Sequence, residues 1–188
     1  MSEQTPQAES LHPDFKHFDF QTAFNKVELL LEKRYGIEVS ISDVLDPNTG
    51  DFDGTNIKID YDQDLEMALF VLVHLFGHTV QWNISAEFRA IGLETNPGKS
   101  DEMLAKIYDY ERDATRYSMR LLHDAGVTEL DRWVSDWWQA DWEFLVHFYR
   151  TGEKLDSRKL LVAGKGELLT PLDIPPFELQ RWVSRWSF

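Results

Sequence analysis

The stretch Leu65-Glu66-Met67-Ala68-Leu69-Phe70-Val71-Leu72-Val73-His74-Leu75-Phe76-Gly77-His78-Thr79-Val80-Gln81-Trp82 decides how this chain is read. Its apolar residues do not keep to one stripe. They cover all sides of a helix, and a helix that is apolar all round belongs at the centre of a fold. The spacing predicts a helix over about 63–82. Two histidines, His74 and His78, interrupt the apolar run. Residues at i and i+4 lie one above the other on a helix, so both imidazoles can reach a common point. Burying two neighbouring imidazoles costs free energy unless each finds partners. Separate hydrogen bonds would supply those partners, and so would one shared cation. Neutral imidazole suits zinc, iron, nickel or copper.

Upstream, Phe20, Phe24, Val27, Leu30 and Leu31 recur at helical spacing over about 13–35, and Gly36 supplies a stop. Ile37–Ile41 and Asn56–Tyr61 each alternate apolar with polar residues, which predicts two strands of a small antiparallel sheet. Between them, Asp46-Pro47-Asn48-Thr49-Gly50 is dense turn chemistry. Asp46, Asn48, Asp51 and Asp53 resemble a calcium loop only superficially. An EF-hand starting at Asp46 needs glycine sixth and glutamate twelfth, where this chain has Asp51 and Ile57. Downstream, Ser100 or Asp101 caps a helix running to about residue 123. A tryptophan-rich helix follows over about 128–149, and a short helix is expected at Phe177–Trp186. The expectation is an α+β domain, with a small antiparallel sheet packed on a mainly helical core. A polar tail over 1–12 precedes a single domain over 13–188, whose C-terminal third is helical.

Composition narrows the chemistry. With 33 Asp+Glu against 19 Lys+Arg, the net charge is −14. Such a chain is a poor general binder of nucleic acid, which needs clustered cations. The chain has no cysteine, so disulfides, thiolate zinc sites, iron–sulfur ligation and cysteine nucleophiles are all excluded. Any metal must be held by His, Asp or Glu. Residues 1–10 lack the basic and apolar regions of a targeting signal, and no membrane association is expected, so the expected location is the cytoplasm.

A third ligand would come from another element. In Tyr110-Glu111-Arg112-Asp113-Ala114-Thr115-Arg116-Tyr117, Glu111 is followed three positions later by the small Ala114. Gly77 is equally small on the histidine helix, so the two helices could approach closely enough for a carboxylate to meet both imidazoles. A solvated acidic face accounts for Glu111 just as simply. Asp113 is the reserve third ligand. Gln81 shares the face of His74 and His78, and Tyr110 and Tyr117 come from the Glu111 helix. Glu143 and His147, also four apart, form a second pair. Facing the first, they would make a carboxylate-bridged dimetal centre; unpaired with it, they make an exposed helix ion pair. Trp133, Trp137, Trp138 and Trp142 form either a core face over the histidine helix or an aromatic groove for a partner.

The order Gly54-Thr55-Asn56-Ile57-Lys58-Ile59-Asp60, then His-x-x-Gly-His, then Glu-x-x-Ala, resembles the ImmA/IrrE-type zinc metallopeptidases, a gluzincin-like group, over about 35–122. The resemblance implies a zincin-like minimal domain, His74, His78 and Glu111 as ligands of Zn2+, and a protein or peptide as partner. The same two-histidine, one-carboxylate set also suits Fe2+ or, in a dimetal site, Mn2+. One position departs from the family. In H-E-x-x-H, the residue after the first histidine is the general base. Here it is Leu75, which accepts no proton, and the reversed H-x-x-E-H motif fails at Gly77. Losing a positioned base typically removes about 10²–10⁴-fold of rate. A zinc site with peptidase activity weak or absent is therefore the expectation.

Overall fold

The computed structural model describes residues 11–44 and 49–182. Helix α1 (Phe20–Leu30) continues through a π turn (Leu31–Tyr35) that closes at Gly36. Strands β1 (Glu38–Ser42), β2 (Gly50–Phe52) and β3 (Asn56–Asp60) follow. Then come α2 (Leu65–Ile84), α3 (Ala86–Leu93), α4 (Asp101–Asp124), α5 (Asp131–Thr151) and the short α6 (Ser157–Leu160). The class is α+β, as the sequence predicts.

Helix α2 is the axis of the fold. The Asp64 carboxylate accepts from the Met67 amide at 2.9 Å and caps its start. Its flanks are covered by α1, α3, α4, β2 and β3. By length and composition α2 could cross a bilayer, but 78 % of its most apolar window is buried inside this fold. Ser85 ends α2 and caps α3, a helix the sequence reading left out. Ser100 caps α4 through the Met103 amide, as expected.

The sheet corrects one expectation. It is mixed, with order β1-β3-β2: β3 pairs antiparallel with β2 but parallel with β1. The hairpin turn that joins β2 to β3 lies at Asp53-Gly54-Thr55. The Asp53 carboxylate accepts from the amides of Thr55 and Asn56 at 2.9 and 2.8 Å. Gly54 takes φ +89°, where a side chain is strained. That tight turn gives β3 its antiparallel neighbour, so β1 reaches the other edge by a long connection, as parallel pairing requires. Asp60 pins that connection by accepting from Val44 N at 2.9 Å. Asp46 and Asn48 lie outside the described residues.

The tryptophans are core. Trp133, Trp137 and Trp138 are buried. The indoles of Trp133 and Trp137 donate to one oxygen of buried Glu66 on α2, at 2.8 and 3.0 Å, which joins α5 to the axis. The tail boundary falls earlier than residue 12: His12 is fully buried, with Nε2 3.2 Å from Asp136 Oδ2. Nor is Phe177–Trp182 helical. It runs as a strap, with Gln180 N donating to Asn83 Oδ1 and Trp182 N to the Asp53 carbonyl, which uses its amides outside a helix. Val183–Trp186 lie outside the described residues.

Candidate metal centre

Three potential ligand atoms converge where α2 and α4 cross. His74 Nε2 and His78 Nε2 are 3.0 Å apart, and Glu111 Oε2 lies 3.3 and 3.1 Å from them. A tetrahedral ion with bonds of about 2.0–2.1 Å holds its ligand atoms about 3.3 Å apart. The observed triangle is therefore the right size for one small cation. The crossing depends on small residues: a Cβ on Gly77 would stand 2.7 Å from the carbonyl carbon of Ala114. That close approach lets a short acidic side chain from α4 reach the histidine pair.

The hydrogen bonds also assign the protons. Gln81 Nε2 donates to the Tyr110 carbonyl at 2.6 Å, and that oxygen can only accept. The other amide atom, Oε1, therefore faces His78 Nδ1 at 3.0 Å and requires a proton there. His78 Nε2 is the ring nitrogen directed at His74 and Glu111. Aromatic rings hold the imidazole in this orientation: Tyr110 stacks at 4.7 Å between centroids and Phe52 at 6.1 Å. His74 stacks on Phe70 at 5.6 Å.

The electrostatics divide the two imidazoles. Burial pushes His78 down, and the neighbouring His74 charge adds to this against the pull of Glu111. Burial also opposes charge on His74, but the Glu111 hydrogen bond and the charges of Glu111 and Asp141 outweigh it and raise its pKa. Burial would raise Glu111; the His78 charge and the hydrogen bonds from both imidazoles instead hold it well below the ordinary carboxylate range. Of the two histidines, His74 is thus the one whose protonated form the site favours. Three ligand-type atoms, His74 Nε2, His78 Nε2 and Glu111 Oε2, stand within 3.0–3.3 Å of one another. A cation satisfies all three at once.

The triad opens into a cavity of about 200 Å³ between β2 and the helices α2, α3, α4 and α5. Leu75 lines it, beneath Gly50 of β2, so the position after the first histidine does face the site. Tyr110 lines it as well. Asp141 of α5, absent from the sequence reading, reaches the same cavity. Burial raises its carboxyl to about 6, with His74 opposing and Glu111 adding to the rise. A signal for it was present: Asp141 sits in the apolar stripe of α5, four residues after Trp137 and four before Leu145.

The remaining candidates lie elsewhere. Asp113 pairs with Arg116 at 3.2 Å and does not line the cavity, so it is no substitute third ligand. Tyr117 is buried in the core away from it. Glu143 pairs with Lys165 at 2.6 Å, and His147 Nε2 faces Glu153 at 3.7 Å. The dimetal arrangement therefore does not form, because these side chains leave α5 on faces that do not meet the triad. Among proteins already characterised, no family model, no curated sequence and no solved structure matches this chain.

Proposed function

We propose that this protein binds one divalent metal ion, zinc in the first place, through His74, His78 and Glu111, and presents it to a cavity in the manner of the ImmA/IrrE-type metallopeptidases its motifs resemble. The observation that carries this reading is the convergence of His74 Nε2, His78 Nε2 and Glu111 Oε2 within 3.0–3.3 Å of one another. Ligand-type atoms buried that close need a proton or a cation among them, and one shared cation serves all three. Three protein ligands beside a cavity are the pattern of a catalytic rather than a closed structural zinc site. The use of the metal is hydrolytic, but Leu75 leaves the standard base position apolar, so ordinary peptidase turnover is weak or absent.

Elemental analysis of protein purified without added metal tests this. One zinc per chain is expected, with loss in both His74→Ala and Glu111→Gln. A native chain without bound metal would overturn the proposal. Stoichiometric iron with oxygen consumption would replace zinc by an oxidative Fe2+ site on the same ligands.

A further inference from the structure

The cavity holds a fourth ionisable group of the ligand type that the triad does not use. Asp141 lies on α5 and lines the cavity beside His74, His78 and Glu111, and its charge is coupled to both His74 and Glu111. Its carboxylate makes no hydrogen bond or ion pair with any described residue. A half-buried acid without a partner is unusual, since desolvation has a cost and a nearby donor normally offsets it. Asp141 is not held in place by a side-chain bond to a described residue, and it lines the cavity of the triad.

Its distance separates two roles. Asp141 lies outside the set of ligand atoms that fall within 4.8 Å of one another. No ion pair within 4.0 Å joins it to either histidine. Ligands of one shared ion stand about 3.3 Å apart. Asp141 therefore stands outside the triangle of ligand atoms while lining the cavity that the triad opens into.

We propose that Asp141 is the proton acceptor of this site, placed on α5 where Leu75 provides none on α2. With a metal held by His74, His78 and Glu111 to acidify a water, the Asp141 carboxylate would accept the hydrogen bond and then the proton of that water. This rests on the metal reading above. It also explains how a site with an apolar residue after its first histidine keeps a base. The acceptor stands on α5, another wall of the cavity, and not on the histidine helix.

Cobalt(II) titration tests the assignment without a substrate. The visible bands of the Co2+-loaded chain report coordination, and their change with pH reports ionisation of the water. Removing a nearby negative charge favours hydroxide. Asp141→Asn is expected to lower the midpoint by about one pH unit while changing Co2+ affinity by less than about threefold. The other ionisable groups around the cavity, His74, His78, Glu111, Tyr110, Asp51 and Tyr149, stay in place. Asp113→Asn, outside the cavity, is expected to leave the midpoint unchanged. The substituted amide is isosteric and breaks no bond, so the variant should retain the native circular dichroism. An unshifted midpoint with Co2+ bound would overturn the Asp141 assignment alone. Loss of affinity with altered band intensity would also overturn it, making Asp141 a ligand. A native chain that binds no Co2+ would overturn the metal reading, and this inference with it.

Discussion

Gly77 of α2 meets Ala114 of α4 backbone against backbone: a Cβ on the glycine would lie 2.7 Å from the Ala114 carbonyl carbon and 2.9 Å from its Cα. The contact sits one residue before His78 and three after Glu111. The spacing of the two helices and the closeness of the triad are therefore the same quantity.

Gly77→Ala makes this measurable. In a free helix the substitution would stabilise by about 1 kcal/mol. Here the methyl group meets backbone that cannot rotate away, and overpacking costs about 1–3 kcal/mol or more. Net destabilisation and at least about tenfold weaker zinc binding are expected, since second-sphere displacement alone costs about 10–100-fold. Thermal unfolding and a chelator competition check both. A variant of native stability and native zinc affinity would show that the crossing distance does not set the site.

Gln81 holds the His78 tautomer through bonds of 3.0 Å to Nδ1 and 2.6 Å to the Tyr110 carbonyl. Gln81→Leu fills similar volume and removes both. Zinc affinity is expected to fall by about 10–100-fold, with the fold kept. Unchanged affinity would mean that ring stacking alone orients the imidazole.

Zinc uptake should depend on pH with a definite sign. His74 keeps its proton to a higher pH than an ordinary histidine, and the metal must displace that proton. Affinity is therefore expected to rise with pH, by up to about tenfold per unit, until the raised His74 value is passed, and then to level off. Proton release measured calorimetrically in two buffers of different ionisation enthalpy would confirm it. Binding without proton release would place the proton elsewhere.

Asp136 ties the segments at His12 and at Gly164–Gly166 to α5. Its carboxylate accepts from Gly164 N at 2.8 Å, Gly166 N at 3.2 Å and Arg132 at 2.6 Å, and lies against His12. Burial would raise its pKa, but these bonds outweigh burial and hold it below the ordinary 3.8. A depressed carboxyl contributes stability that is present above the unfolded value and lost as pH falls through the folded one. Asp136→Asn is expected to cost about 3 kcal/mol near neutrality, with the difference from native shrinking below about pH 4. Urea unfolding at two pH values tests it. A constant difference would indicate lost packing rather than lost charge.

The elements are legible where one local pattern determines them. Helix α2 announces itself by being apolar on every side, and α4 by its Ser100 cap. The strands show their alternation but not their pairing, because a period of two is identical in parallel and antiparallel neighbours. Only the Asp53-Gly54-Thr55 turn decides that β3 takes β2 as its antiparallel partner. Helix α3 escapes a sequence reading because Ser85 ends one helix and caps the next, leaving no loop between them.

The site divides in the same way. The convergence of His74 and His78 is determined by the sequence alone, because four residues of helix place two side chains together whatever surrounds them. Glu111 is suggested by its neighbour Ala114, but only the packed crossing at Gly77 brings its carboxylate within 3.3 Å of the imidazoles. Asp113, Glu143 and His147 carry comparable motifs, yet their side chains point elsewhere. Asp141 carries none and lies in the cavity. Contacts within a helix follow from covalent geometry, whereas contacts between helices depend on crossing angles and on which faces are buried. That is set by packing along the whole chain, and so the tertiary structure alone could supply it.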